Sequence, residues 1–183
     1  NRRVLNLLLE SSLLRKCGYE IVHHDSGDRR GIDVALLYRN EVYDLSESFI
    51  TTHQHEGEKL ATRDILTVRL RRKTDGEQIT FIVNHHPSKY GGSKASEERR
   101  ESVMINLSEL CDSLLKTPEN RQIVAMGDFN DNPDGSQFSI VDGIMVNKGL
   151  ELHQKGEGTI RYEGKWDLID MFMVSPALDR TSV

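Results

Sequence analysis

Apolar residues recur at two different spacings along this chain, and these spacings predict both helices and strands. Leucines and a valine lie three or four positions apart over residues 4–13, the period of an amphipathic helix, and Gly18 follows as a helix end. Over residues 66–71 apolar and polar residues alternate instead, which is the period of a half-exposed strand. An Asp-Gly turn at residues 75–76 and an apolar run at 79–83 follow, so we predict a β-hairpin.

The remaining elements alternate in type along the chain. A second helical stripe of apolar residues covers residues 103–115. Further strands are predicted at residues 19–24, 32–38, 41–51, 123–126 and 168–174, and a loop at residues 53–61. The hairpin requires antiparallel pairing, whereas strands joined through a helix favour a parallel crossover. We therefore predict a mixed sheet in an α/β (α+β) fold.

Composition narrows the class of protein. The 183 residues suffice for one domain with a real core, and 37% hydrophobic with 29% charged residues is typical of a globular chain. A net charge of −5 argues against a large basic surface. No apolar run approaches the roughly 18 residues that a membrane-spanning helix needs. Cys17 and Cys111 lie far apart in helical patterns, so we predict reduced thiols, and we expect a monomer.

Three polar clusters each follow or begin an apolar strand. The first cluster holds Asn84 and His85, the second holds Asp128 and Asn130, and the third holds Asp170. Strands of one sheet can bring their ends to one crevice, so we expect these side chains to lie together. One cluster alone would be weak evidence, because a single histidine or aspartate after a strand is more often structural.

The second cluster does not fit an EF-hand. That calcium-binding loop needs glycine at its sixth position and glutamate at its twelfth. Counted from Asp128, these positions hold Pro133 and Ser139, and counted from Asn130 the twelfth is Val141. The pattern fails in both registers.

The residue types of the three clusters suit the hydrolysis of phosphate esters. A carboxylate such as Asp128 can orient and deprotonate a water molecule, and the Asn130 amide can fix that water or a phosphate oxygen. His85 can donate to the phosphate, and Asp170 can hold another histidine in the required tautomer. A Mg²⁺-like ion would offset the phosphate charge.

Basic residues near the clusters are candidate phosphate contacts. Arg30 could reach a phosphate from the rim of the crevice, although an ion pair with a nearby acid is the alternative. Lys89 lies in the loop after His85 and could touch substrate. His53 and its polar neighbours could form a separate metal site, but we predict an exposed loop there because no fourth fixed ligand is evident.

In this order the motifs resemble the endonuclease/exonuclease/phosphatase superfamily. The matching segments are residues 30–38, 63–66, 84–88, 127–131 and 166–170. The resemblance implies a four-layered sandwich of two mixed β-sheets flanked by helices. It also implies a divalent-metal-dependent phosphoesterase that uses Mg²⁺ or Mn²⁺ on a phosphate-ester substrate, with nucleic acid among the candidates.

The resemblance also implies roles for individual residues. Asp128 and Asn130 match the pair that activates water and orients phosphate, and we predict them as metal ligands too. His85 matches the phosphate-contacting histidine, and Asp170 matches the aspartate that supports a second histidine. We predict that the substrate-binding residues are Arg30, Asn84, Ser88 and Lys89.

Two features of the superfamily are absent from these residues. The superfamily's principal metal ligand is a glutamate on an early strand, and its catalytic histidine lies in a closing Ser-Asp-His segment. We therefore expect residues 1–183 to form a single domain that lacks the first strand and the C-terminal Asp-His segment. On their own these residues should bind metal weakly and hydrolyse little.

Two classes of function remain open. The first is hydrolysis, by a nuclease or by a phosphatase of small molecules or lipids. The second is a non-catalytic module of the same fold that binds a phosphorylated ligand or a protein. Because Asp128, Asn130, His85 and Asp170 are all retained, the sequence favours the enzyme.

Overall fold

The computed structural model of the chain describes residues 1–11, 13–55, 57–89, 93–118 and 121–180. The helices are α1 (Arg2–Leu9), α2 (Ser93–Leu115), α3 (Leu150–Gln154) and α4 (Pro176–Arg180), with a 3₁₀ helix at Ser136–Val141. The strands are β1 (Tyr19–His23), β2 (Ala35–Arg39), β3 (Tyr43–Thr51), β4 (Gln54–His55), β5 (Glu58–Lys59), β6 (Ile65–Arg72), β7 (Gln78–His85), β8 (Ile123–Asp128), β9 (Val146–Asn147), β10 (Ile160–Tyr162), β11 (Lys165–Asp167) and β12 (Asp170–Val174).

A six-stranded mixed sheet forms the centre of the fold. Its strand order is β3-β6-β7-β8-β12-β9, and β7 pairs with β8 in parallel while the other pairs are antiparallel. Helix α2 makes the crossover from β7 to β8, as a parallel connection requires. Strands β1 and β2 form a separate antiparallel sheet, and β4-β5 and β10-β11 are short hairpins.

The two faces of the central sheet are covered by different elements. Helix α2 covers one face, where Met104 and Leu107 belong to the same buried cluster as Ile82. The β1-β2 sheet covers the other face, where Val22 packs in one cluster with Leu66. Helix α1 contacts β1 on the outside, so helix, sheet, sheet and helix follow one another as four layers. The predicted mixed α/β fold class is confirmed.

Alternation along β6 explains how one strand serves both faces. Leu66, Val68 and Leu70 lie in the cluster shared with the β1-β2 sheet, whereas Ile65 lies in the cluster beneath α2. Successive side chains of a strand point to opposite faces, so this division follows from the sequence pattern. Burying each large aliphatic side chain contributes about 1.5–3 kcal/mol.

The segment predicted as an exposed loop is different in the structure. It contains the β4-β5 hairpin, and His53 beside it is only 2% exposed. The prediction that His53 lies exposed is therefore wrong, because helix α2 packs against β4. The side chains of His55 and Glu56 lie outside the described residues. No helix in the described ranges combines the length and apolar character needed to cross a membrane.

Candidate active site

Three neighbouring strands place three of the predicted catalytic residues side by side. His85 at the end of β7 pairs in register with Asp128 at the end of β8, and Asp128 pairs with Asp170 at the start of β12. Residues directly opposite one another on adjacent strands lie within side-chain reach on the same face. His85 Nε2 lies 3.6 Å from Asp128 Oδ2.

The fourth residue, Asn130, is fixed by the turn that follows β8. Its backbone N–H donates to Asp128 Oδ1 at 2.8 Å, and its φ of 52° places it in the left-handed region that asparagine tolerates. Its side-chain Nδ2 donates to the backbone carbonyl of His86 at 2.9 Å. Phe129 is fully buried between these residues, with its ring centroid 4.8 Å from that of His86. The turn is therefore anchored from both sides.

Arg63 also donates to the carbonyl of His86, although the sequence reading gave it no role. It is 4% exposed, and its Nη1 donates to Asp28 Oδ2 at 3.3 Å while its Nη2 reaches the His86 carbonyl oxygen. Arg63 and Asn130 thus share one acceptor and join the loop after β7 to the segments before β2 and β6. A charged Arg-Asp pair just before an apolar strand was the only sequence signal, and it does not reveal burial.

Burial and neighbouring charges set the protonation of the site. Burial, followed by the charges of Arg63 and Arg30, lowers the pKa of His85 to about 4, so this imidazole is neutral at pH 7. Burial is also the main cause that raises the pKa of Asp128, and the nearby Asp170 carboxylate adds to it. A carboxylate with a raised pKa is a better proton acceptor than a free aspartate.

The four predicted substrate-binding residues have different surroundings. Arg30 and Ser88 line an open pocket of about 830 Å³ beside the site. Asn84 is 3% exposed, and its Nδ2 donates to the carbonyl of Ile82. Lys89 Nζ lies 2.7 Å from Asp131 Oδ1. Arg30 also donates to the Asp28 carboxylate, so the ion pair considered as an alternative is present.

The pocket and the catalytic cluster are neighbours but do not coincide. The predicted catalytic residues are not among the residues that line the pocket, which instead include Arg63, Pro87 and Ser88. Pro87 and Ser88 directly follow His86, whose carbonyl is the acceptor shared by Arg63 and Asn130. The His86 backbone therefore connects the pocket to the site.

A second set of contacts ties the turn after β8 to the segment before β12. Asn132 Nδ2 donates to Asp167 Oδ1 at 2.7 Å, and Asn132 Oδ1 accepts from the backbone N–H of Leu168 at 2.8 Å. These bonds fix where β12 begins, and therefore where Asp170 lies. Trp166 is 52% exposed, with the Arg161 guanidinium 6.0 Å from its ring centroid.

The described residues offer two places where side chains could bind a metal ion. The one group of three His, Cys, Asp or Glu side chains with ligand atoms within 4.8 Å of one another, among the described residues, is His23, Asp25 and Asp33. Asp33 there already contacts His23 Nε2 at 3.3 Å and accepts from the Ser26 N–H at 2.9 Å. At the predicted site, Asp128 offers a carboxylate and Asn130 an amide oxygen.

Solved structures with the same fold differ widely in sequence. The human Nocturnin catalytic domain is 16% identical, with a TM-score of 0.69 over 91% of this chain and 64% of that chain. The mannosyl-6-phosphatase Bt3783 of Bacteroides thetaiotaomicron is 17% identical, with a TM-score of 0.62 over 87% of this chain and 63% of that chain. D. rerio TDP2, solved with a single-strand DNA product, is 14% identical, with a TM-score of 0.60 over 94% of this chain and 66% of that chain.

This chain spans slightly less than two thirds of the solved structures that it resembles, 64% and 66% for the first two. Among curated proteins, no sequence matches it. A sequence model of one family, however, matches residues 1–182. The chain therefore belongs to the endonuclease/exonuclease/phosphatase family.

Proposed function

We propose that this chain forms the central part of the active site of a divalent-metal-dependent phosphoesterase. The observation that carries the proposal is the alignment of His85, Asp128 and Asp170 across three adjacent strands, with Asn130 held on the Asp128 carboxylate. An imidazole, two carboxylates and an amide at one edge of a sheet can grip a phosphoryl group and a water molecule.

Each residue has a task that follows from its surroundings. Asp128 accepts a proton from the attacking water, since burial and Asp170 raise its pKa. His85, neutral at pH 7, donates a ring N–H to a non-bridging phosphate oxygen. Asn130 orients the water or the phosphate, because its backbone and side-chain N–H groups are both held. Asp170 fixes the tautomer of a second histidine.

Mg²⁺ or Mn²⁺ fits this donor set. The Asp170 carboxylate lies close enough to add to the raised pKa of Asp128, and hard oxygen ligands are those that Mg²⁺ binds. Asp128 and the Asn130 amide oxygen would hold the ion. When bound, it neutralises charge on the phosphate in the transition state.

The substrate contacts are assigned to the rim of the site. Arg30 and Ser88 line the pocket, and we assign both to the phosphate ester. Lys89 must leave Asp131 before it can reach substrate. The Asn84 side chain is buried, so Asn84 acts through its backbone position in β7, next to His85.

The proposal also covers the extent of the domain and the type of substrate. We further propose that residues 1–183 form a single domain without the superfamily's first strand and Asp-His segment, and that full activity needs the glutamate ligand and the second histidine that those elements carry in the superfamily. A mannosyl-6-phosphatase and TDP2, which was solved with a single-strand DNA product, share the fold, so a phosphatase and an enzyme acting on DNA both agree with the proposal.

A substrate panel tests the proposed function. The protein is incubated with Mg²⁺ or Mn²⁺ and single- or double-stranded DNA, RNA, inositol phosphates or sphingomyelin. The 183-residue chain is compared with a form extended at both ends. Hydrolysis of one substrate class by the extended form, with little by the shorter one, is expected. Binding without hydrolysis by the extended form would instead indicate a non-catalytic module.

A further inference from the structure

The pocket of about 830 Å³ beside the catalytic cluster is larger than one phosphate ester needs. Its wall comes from three separate segments: residues 28–30, residues 58–63 and the loop after β7, with Arg99 of α2 closing one side. The four predicted catalytic residues do not line it, and only Arg30 and Ser88 of its lining are assigned to the phosphate ester that is cleaved.

Two residues that line this pocket each carry a buried donor without a hydrogen-bond partner in the described part of the chain. Thr62 is 6% exposed and Arg63 is 4% exposed, and both line the pocket. The Thr62 hydroxyl and Arg63 Nε lack a hydrogen-bond partner among the described residues. An unpaired buried donor is destabilising, so a ligand oxygen that reached either atom after a small shift of the wall would gain a hydrogen bond.

The charge balance shows which kind of acceptor fits. Five cationic residues line the pocket against two acids. One of the acids, Asp28, is already neutralised by Arg30 and Arg63, with Oδ2 distances of 3.1 and 3.3 Å. This leaves a positive surface that attracts anions.

The three cations at the rim are Arg29, Lys59 and Arg99. All three are exposed, and none forms an ion pair with any residue that the structure describes. Glu58 is the remaining acid of the pocket lining. The pocket lining therefore combines three unpaired cations with one carboxylate and two buried donors. This composition suits the binding of a phosphate group.

We propose that this pocket binds a second, non-scissile phosphate group of the substrate. The inference rests on the proposed phosphoesterase function and adds its substrate class, a phosphate ester that carries another phosphate nearby. Arg63 belongs to both regions, since it lines the pocket and holds the His86 carbonyl that also fixes Asn130. Occupancy of the pocket therefore positions the substrate against the turn after β8.

Two substrates that differ by one phosphate, both assayed with the form extended at both ends, test the proposal. They are the p-nitrophenyl ester of thymidine 5′-phosphate and the same compound with a 3′-phosphate. The 3′-phosphate should lower KM about tenfold, which corresponds to about 1.4 kcal/mol, because the cations of the pocket would form charge-assisted hydrogen bonds with it. In the double variant Lys59→Ala/Arg99→Ala this difference should disappear, with kcat for the one-phosphate substrate unchanged.

Two further variants separate the pocket from general effects. Thr62→Val keeps the side-chain shape but removes the unpaired hydroxyl, and it should reduce the preference without affecting the one-phosphate substrate. Lys116→Ala removes an exposed lysine just beyond the other end of α2, roughly 25 Å from Arg99 at 1.5 Å per residue. This control should retain the full preference. A preference that survives in the double variant would overturn the proposal.

A binding experiment keeps this inference separate from the proposed function. If neither ester is hydrolysed, the phosphoesterase proposal fails, but calorimetry with thymidine 3′,5′-bisphosphate and thymidine 5′-phosphate still tests the pocket. Tighter binding of the bisphosphate, lost in Lys59→Ala/Arg99→Ala, supports the second-phosphate site. Equal affinity of the two nucleotides for the parent protein excludes a neighbouring nucleotide as the source of the second phosphate.

The second phosphate could belong to a nucleic acid or to a small molecule, and titrations with two sugar phosphates distinguish these sources. Glucose 1,6-bisphosphate and glucose 6-phosphate are titrated in the same way. If only the thymidine pair shows a preference for the bisphosphate, the second phosphate belongs to a neighbouring nucleotide. If only the sugar pair shows this preference, the second phosphate belongs to a small-molecule substrate. A preference in both pairs supports the site for either source, and a preference in neither pair overturns it.

Discussion

Gly127 and Asn84 lie opposite each other on the parallel strands β8 and β7, and the two backbones are in direct contact. A Cβ atom on residue 127 would lie 2.0 Å from the carbonyl oxygen of Asn84. Gly127 also has a φ of 136°, which L-residues rarely adopt. This close approach brings His85 and Asp128, the next residues on each strand, into register at the site.

Gly127→Ala should therefore destabilise the protein and displace the site. We expect a loss of more than about 2 kcal/mol in the free energy of unfolding, because a steric clash adds to a backbone cost of roughly 1–2 kcal/mol. Urea denaturation measures the loss. Gly143→Ala is the matched control, since its φ is 77° but nothing lies within 4 Å of the added Cβ. Equal losses in the two variants would show that the contact with Asn84 has no cost.

Arg63→Gln should destabilise the chain far more than Arg69→Gln. The first change leaves the Asp28 carboxylate without one of its partners and removes a donor from the His86 carbonyl, both at buried positions. We expect a loss of about 3 kcal/mol. Arg69 lies in β6, and its Nη1 is 2.9 Å from Oε2 of the exposed Glu47. Loss of this exposed ion pair should lower the free energy of unfolding by under about 1 kcal/mol. Urea midpoints that fall equally would contradict this reading of Arg63.

The stability of the chain should fall in mild acid. Burial lowers the pKa of His53 to about 4 and that of His86 well below its usual value, while the unfolded chain titrates near 6.5. A lowered folded-state pKa gives stability that is present above pH 6.5 and is lost as the pH falls toward 4. Each such group removes up to about 1.4 kcal/mol per pH unit in this window.

Thermal unfolding at pH 7.5 and pH 4.5 measures this effect. We expect a lower melting temperature at pH 4.5, and a smaller difference in His53→Gln than in the parent. His24→Gln, at an exposed position, should leave the difference unchanged. If His53→Gln retains the full pH dependence, His53 does not remain neutral in the folded protein.

Asp128→Asn should not destabilise the fold at pH 7. The pKa of Asp128 is raised, so its contribution to stability is present below the ordinary value of 3.8 and is lost as the pH rises through the folded value. The asparagine can still accept the Asn130 N–H, and the repulsion with Asp170 is removed. Denaturation at pH 7 should therefore show equal or higher stability. A clear loss would mean that Asp128 is a structural residue.

Local sequence patterns predicted the elements of the central sheet well. The alternation around Leu66 and the Asp-Gly turn at Gly76 led to the hairpin of β6 and β7, and the apolar run before Gly127 led to β8. These signals are local, because strand period and turn chemistry act over a few residues. The same patterns also indicated which polar residues follow each strand, and hence the candidates His85 and Asp128.

Burial of polar residues could not be predicted in the same way. His53 was expected in an exposed loop but is only 2% exposed. Arg63 carried no assigned role, although it links Asp28 to the His86 carbonyl. Whether a polar side chain is buried depends on packing between elements that are distant in sequence, such as α2 and β4. Local patterns along a single sequence do not show which distant elements pack together.

The most direct measurement is the hydrolysis of bis-p-nitrophenyl phosphate by the form extended at both ends, with Mg²⁺ or Mn²⁺. Asp128→Asn should lower kcat at least about 100-fold, as expected for a lost general base, and removal of the ion by EDTA should abolish turnover. Asp134→Asn, an exposed carboxylate in the same loop, should retain activity. Turnover that persists in Asp128→Asn, or that needs no divalent cation, would contradict the proposed site.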